Sequence, residues 1–168
     1  MRKHLLLWLP IFLLGCGTGD LQIETIDFDQ ASVQYCGTLN TETTLLFKLN
    51  GTEALVLQLA PGLLRNEASA GALESSIPGQ SKLTYRIFDS NATASHFCDA
   101  IPPAAPAVLE DISAQSGAVL VTTVQDPVDS TRFEHTIALS GITLVNSKGE
   151  RLSNLSLTSF GTVATTSN

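Results

Sequence analysis

The strongest constraint on the fold of this chain is the alternation of apolar and polar residues in short segments separated by turn residues. Residues 43–49 alternate in this way, and so do residues 53–59, with Asn50-Gly51 between them. Alternation with period two places side chains on opposite faces of a strand, and Asn-Gly is a frequent hairpin turn. Further strands are predicted at 21–29, 82–89, 117–124, 131–146 and 151–165, with a bend or bulge at Ser140-Gly141. The pattern predicts an all-β chain, an antiparallel β-sandwich of about seven to nine strands.

Two segments interrupt the alternation. Residues 60–80 are rich in Ala, Gly and Ser and predict one short helix or an ordered loop. Residues 101–107 contain three prolines and predict an extended connection. Since composition does not change on the scale of a domain, 21–168 is expected to form a single β-sandwich domain.

The first residues have the pattern of an export signal. Arg2 and Lys3 precede an apolar run from Leu5 to Leu14, and this run of ten positions is too short for a bilayer-spanning helix of about 20 residues. The sequence Leu13-Leu14-Gly15-Cys16 then resembles the lipobox of bacterial lipoproteins.

That resemblance implies removal of 1–15 as a signal peptide and attachment of diacylglycerol and a further acyl chain such as palmitate to Cys16. Residues 16–20 would form a lipidated tether. Gly17 stands where an aspartate would retain a lipoprotein at the inner membrane, so the implied location is the outer membrane, on its periplasmic or its outer face. An ordinary secretory signal with an incidental cysteine is the alternative.

The charge of the chain limits its partners. The formal net charge is −7, and loss of Arg2 and Lys3 with the signal would leave a body of charge −9. An acidic surface repels phosphate backbones, so nucleic acid is not expected as a partner. Attachment to a membrane would depend on the N-terminal lipid.

Two cysteines follow the lipobox, Cys36 and Cys98. Thiols of exported proteins usually pair, and a disulfide between these two is the favoured interpretation. Two free buried thiols and a metal site are the alternatives, and His96 and His135 are the histidines that remain as nitrogen ligands for zinc.

Candidates for catalysis are few, and neither catalytic residues nor a cofactor are predicted. His135 alternates with the apolar residues Phe133 and Ile137, which favours a core or edge histidine over a general base. His96 is expected to be exposed in a turn. Asp27 and Asp29 are expected on one strand face, where they would be solvated charges, part of a calcium site or a glycosidase pair.

The segment from Gln125 to Thr131 offers oxygen ligands in a tight loop. Asp126 and Asp129 are weak calcium candidates, because only two carboxylates are local. Asp129-Ser130-Thr131 resembles the acceptor for O-glycans in the bacterial phylum of the flavobacteria, which makes Ser130 a candidate for modification. A plain hairpin turn is the alternative.

Several segments together resemble one uncharacterised group of flavobacterial-type, β-rich envelope lipoproteins. They are Leu46–Leu55, Tyr85–Phe88, Phe97-Cys98, Ile101–Pro106 and the block from Arg132 to Gly161. The resemblance implies no activity and no catalytic residue.

The expected function is that of an outer-membrane-anchored lipoprotein with a non-enzymatic structural or protein-interaction role, with an envelope protein or a glycan as its partner. The alternative is a surface-displayed module that binds a glycan or a small ligand. Sugar sites commonly use exposed aromatic rings, but Trp8 would leave with the signal. Phe47, Tyr85, Phe133 and Phe160 are expected to fill the core instead.

Overall fold

A computed structural model describes residues 21–22, 26–152 and 157–167 of the chain. The predicted signal peptide, the tether and Cys16 lie outside the described residues. Strands make up 49% of the structure, and nine of them pair in antiparallel fashion. The prediction of an all-β antiparallel sandwich is confirmed.

The described residues contain ten strands and one short helix. Three of the strands have only two residues, and two of these three pair with each other in parallel. The strands are β1 (Leu21–Gln22), β2 (Gln34–Tyr35), β3 (Leu45–Asn50), β4 (Glu53–Gln58), β5 (Leu73–Ile77), β6 (Lys82–Phe88), β7 (Val108–Gln125), β8 (Arg132–Val145), β9 (Arg151–Leu152) and β10 (Ser159–Thr166), and the helix α1 is Ser95–Cys98.

Hydrogen bonds join all ten strands into one sheet, which folds over into two layers through β7 and β8. The main order is β1-β9-β8-β7-β6-β4-β3-β2, while β5 adds to β7 and β10 adds to β8. The first part of β7 pairs with β6, and its later part pairs with β5. In β8 the first part pairs with β10 and the last residues pair with β9. The two long strands therefore belong to both layers.

The corner between the layers lies where β7 and β8 lose their regular register. Pairing shifts around Ser116, opposite the Ser140-Gly141 step that the sequence predicted as a bend. Gly117 has φ +133°, and a Cβ there would lie 2.6 Å from Cδ1 of Ile142. Only glycine fits this backbone conformation and this close approach, so the chain turns here.

The main core is one continuous set of apolar side chains between the layers. It also contains Ile26 and Phe28 from the segment before β2. One layer contributes residues such as Leu55 and Leu83, and the other contributes residues such as Val121 and Ile137. Tyr85 and Phe160 are buried in it and Phe133 is also buried, as the sequence predicted.

A smaller aromatic cluster covers the outer face of β3 and β6. Phe97 of α1 stacks on Phe47 with a centroid separation of 4.6 Å and meets Phe88 edge-on. Phe47 and Phe88 are buried. Both faces of β3 are therefore covered, the inner one by the opposite layer and the outer one by α1.

Three local predictions differ from the structure in whole or in part. In the segment 60–80 the alternative of an ordered loop holds for residues 60–72, but no helix forms, residues 73–77 are β5, and the short helix is α1. Pro61-Gly62 breaks helical structure early, and the segment is fixed to the sheet by a bond from the Ser69 amide to the Thr123 carbonyl. Residues 26–29 are not a strand, because Oδ1 of Asp27 accepts the amide hydrogen of Asp29 and closes a turn. The hairpin turn after β3 lies one residue later than predicted, at Gly51-Thr52.

Candidate functional site

Lys48 is a buried lysine on the inner face of β3. It pairs in register with Leu55, and its neighbour two positions earlier, Leu46, packs in the main core. Since alternate residues of a strand share a face, the side chain of Lys48 projects between the layers. The residue is only 5% exposed, which is rare for lysine.

The side chain of Lys48 lines a cavity of about 300 Å³ at the mouth of the sandwich. We call this cavity the interlayer pocket. Its walls come from β3, from β10 and from the loop that precedes β2. The lining residues are Asp29, Ala31, Ser32, Val33, Lys48, Ser159, Gly161 and Thr162.

The ammonium group of Lys48 makes no hydrogen bond with the described residues, and it reaches solvent in the pocket, since among these residues Nδ1 of His96 is the buried side-chain nitrogen or oxygen that lacks a partner. No carboxylate of these residues lies within 4.0 Å of it. Burial lowers the pKa of Lys48, and the charges of Asp29 and Asp27 offset part of that effect. The pocket thus combines an unpartnered cation with a nearby pair of carboxylates.

Local contacts fix the loop that carries these carboxylates. The side-chain amide of Asn50 donates to the backbone carbonyl of Asp27 at 2.9 Å. Val33 packs against Gly161, where an added Cβ would lie 2.5 Å from Cγ2 of Val33. A second cavity of about 300 Å³ lies beside the same loop and is lined by Asp27, Gln30, Ala31, Leu49 and Asn50.

His135 is fully buried and makes a hydrogen bond through each ring nitrogen. Nδ1 lies 2.8 Å from the hydroxyl of Thr123, and Nε2 lies 2.8 Å from the hydroxyl of Thr165. Because Thr165 donates its hydrogen to Asn66, it accepts from Nε2, and Nδ1 of the neutral ring accepts from Thr123. Burial lowers the pKa of His135, which favours this neutral form. The interpretation as a core histidine agrees with this arrangement.

His96 is not the exposed residue that the sequence predicted. It lies half-buried in α1, edge-on to Phe88 with a centroid separation of 4.7 Å. Its buried Nδ1 has no hydrogen-bond partner. The sequence could not show the partial burial of His96, because it follows from the packing of the adjacent Phe97 in the smaller aromatic cluster.

Asp126 and Asp129 stabilise the turn between β7 and β8. Asp126 accepts the amide hydrogens of Val128 and Asp129, and Asp129 accepts both the amide and the hydroxyl hydrogen of Thr131. These bonds lower the pKa of both carboxyl groups. Ser130 is exposed in the same turn and remains a predicted acceptor for a glycan.

The predicted disulfide between Cys36 and Cys98 is present and spans 62 residues. It ties the end of β2 to the end of α1. Cys36 is half-buried after a strand, whereas Cys98 is exposed and ends the helix. Within the described ranges, no group of three or more His, Cys, Asp or Glu residues is placed to hold a metal ion.

Across the part of the chain that the structure describes, no helix is both long enough and apolar enough to cross a membrane.

No family model, curated protein or solved structure matches this chain. The site must therefore be interpreted from its own geometry.

Sequence reasoning placed Asp29 near a possible site but missed Lys48. The alternation of Leu45, Phe47 and Leu49 suggested that these residues face the core and that Lys48 faces solvent. The available signal was Leu46, which makes β3 apolar on both faces and leaves no strand face free for solvent.

Proposed function

We propose that this chain is a lipid-anchored domain of the bacterial outer membrane that acts by binding a small polar ligand in the interlayer pocket. The observation that carries the proposal is Lys48, which lines a cavity of about 300 Å³ and has a largely buried side chain, while its ammonium group makes no hydrogen bond with the described residues. The ammonium group is not itself a buried atom, so an anionic group of a ligand in the cavity can pair with it directly.

The placement of the histidines supports binding over catalysis. His135 is buried on β8, and both of its ring nitrogens make hydrogen bonds with threonine hydroxyls. His96 lies in α1 and packs edge-on against Phe88, on the outer side of the layer that contains β3 and β6. Neither residue lines the interlayer pocket, so neither is placed to move a proton at a ligand bound there.

The envelope location is supported by the Leu13–Cys16 motif and by the disulfide. Disulfides persist in compartments outside the bacterial cytoplasm, and the Cys36–Cys98 bridge suits such a place. Lipid on Cys16 would hold the domain at the membrane through the 16–20 tether.

A protein-interaction role is the second candidate, and it has its own observation. Leu109 at the start of β7 is 66% exposed, and Val128 in the turn after β7 is 94% exposed. The two side chains lie near opposite ends of β7 and do not form one continuous patch, so each marks a separate position at which a protein contact can be tested. In this role the partner would be another envelope protein.

Calorimetric titration tests the binding proposal. The full-length lipidated protein in detergent is titrated with a panel of neutral sugars, sugar acids and amino acids, beside the variants Lys48→Met and Lys82→Met. Lys82 is exposed on β6 and serves as the matched control. We expect at least one compound to bind and to lose at least tenfold in affinity in Lys48→Met only. Absence of binding across the panel would reject the proposal and favour the protein-interaction role.

A further inference from the structure

We propose that the interlayer pocket takes an acidic sugar, a single hexuronate ring whose carboxylate pairs with Lys48. This inference rests on the proposed binding function and names the chemical class of its ligand. It is drawn from the charge, the hydroxyl groups and the size of the pocket.

The cation in the pocket wall is suited to an anionic oxygen. The ammonium group of Lys48 carries three N–H donors, and none of them has an acceptor among the described residues. Hydrogen bonds between an ammonium and a carboxylate are among the stronger ones that a protein makes. A carboxylate in the pocket would therefore accept hydrogen bonds that Lys48 does not make within the described fold.

The surroundings of Lys48 favour a ligand with one negative charge and several hydroxyl groups. Asp29 and Asp27 act on the lysine from the loop, so a dianion such as sulfate would meet two negative charges. A sugar hydroxyl can instead donate to the carboxylate of Asp29. The hydroxyls of Ser32, Ser159 and Thr162 line the same pocket and can exchange hydrogen bonds with the ring.

The size of the pocket limits the ligand to about one ring. Its volume of about 300 Å³ lies at the lower end of the range for ligand sites, roughly 300–1,000 Å³. Ala31, Val33 and Gly161 give the wall a small apolar part, against which the C–H face of a sugar can pack.

The test is calorimetric titration of the full-length lipidated protein in detergent with glucuronate, glucose and inorganic sulfate. We expect glucuronate to bind at least tenfold more tightly than glucose, and sulfate neither to bind nor to compete. Lys48→Met is expected to lose at least tenfold in glucuronate affinity, while Lys82→Met keeps the affinity of the unchanged protein. Thr162→Val, at an exposed position, is expected to lose severalfold, and it keeps the test decisive if Lys48→Met does not fold.

The outcomes separate this inference from the function on which it rests. Equal binding of glucose and glucuronate, or tight binding of sulfate, would overturn the acidic-sugar assignment and leave a binding pocket. Binding of an amino acid that depends on Lys48, without binding of glucuronate, would do the same. If none of the compounds binds, both the assignment and the binding function fail.

Discussion

Two buried basic side chains, Lys48 and His135, stand in contrasting surroundings. Both have a pKa lowered mainly by burial. His135 has a partner at each ring nitrogen, so its hydrogen-bonding capacity is used within the fold. Lys48 has none among the described residues, and it faces a cavity. A cation that lines a cavity and makes no hydrogen bond within the described fold is the better indicator of a ligand site.

The lowered pKa of His135 predicts a loss of stability in mild acid. In the unfolded chain histidine titrates near its ordinary pKa of about 6.5, whereas the folded state takes up its proton only at lower pH. Stability is therefore complete above about pH 6.5 and falls as the pH drops from there through the folded pKa. Urea unfolding at pH 7.5 and pH 5.5 should show this fall.

The variant for this prediction is His135→Gln. It should show a smaller difference in stability between the two pH values than the unchanged protein. An equal pH dependence in both proteins would contradict the assignment to His135.

A second prediction at the scale of one residue concerns the effect of Gly161 on stability. Its φ is +134°, and a Cβ there would lie 2.5 Å from Cγ2 of Val33. Gly161→Ala should lower the free energy of unfolding by about 1–3 kcal/mol from backbone strain alone, with more from the clash. Gly71→Ala is the control, because nothing lies within 4 Å of a Cβ at Gly71 and its φ is not positive. Chemical denaturation measures both, and equal stabilities would refute the argument.

At the scale of elements, α1 depends on its neighbours rather than on its own length. A helix of four residues is not stable alone, and α1 is fixed by the Cys36–Cys98 bridge and by Phe97 on Phe47. Arg86 adds a contact over the ring of Phe97 at 5.9 Å and pairs with Asp111 at 2.7 Å. The helix closes the outer face of β3 and thereby buries Phe47.

Removal of the disulfide should loosen this helix and destabilise the domain. In the chain-entropy model, a bridge that closes a loop of 62 residues stabilises the fold by roughly 4 kcal/mol. The double variant Cys36→Ser/Cys98→Ser should therefore unfold at a much lower urea concentration. Compared with the unchanged protein, the amide hydrogen exchange of the variant should speed up more in α1 than in β7. If the variant unfolds at the same urea concentration as the unchanged protein, the bridge is not a major stabiliser.

Sequence patterns predicted the strands well where the alternation of apolar and polar residues was clear. They predicted them poorly where tertiary contacts determine the local structure. The strands β3, β4, β6 and β8 lie close to their predicted bounds. β5 was missed because Glu74, Ser75 and Ser76 look like loop residues, although Ser75 is buried through a hydroxyl pair with Ser81. The position of Lys48 was missed for a similar reason, since which face of β3 meets the opposite layer depends on pairing with distant strands.

At the scale of the whole molecule, the Leu13–Cys16 motif predicts a lipid on Cys16, ahead of the folded domain. Cys16→Ser should abolish metabolic labelling with palmitate and release the protein from membranes, because no acyl chain would be attached. Labelling and membrane fractionation of cells that express the two forms measure this. Thr18→Ser is the matched control and should keep its label, because Thr18 is not part of the Leu13–Cys16 motif. Persistent labelling of Cys16→Ser would contradict the lipoprotein prediction.

The sharing of β7 and β8 between the layers has a consequence for the rate of ligand entry. Because both strands run through the corner at Gly117, the two layers are joined by two continuous, hydrogen-bonded strands. We therefore expect the width of the pocket between β3 and β10 to be set before a ligand arrives. Association should follow a single exponential whose rate rises linearly with ligand concentration, without the plateau that a slow closing step would impose.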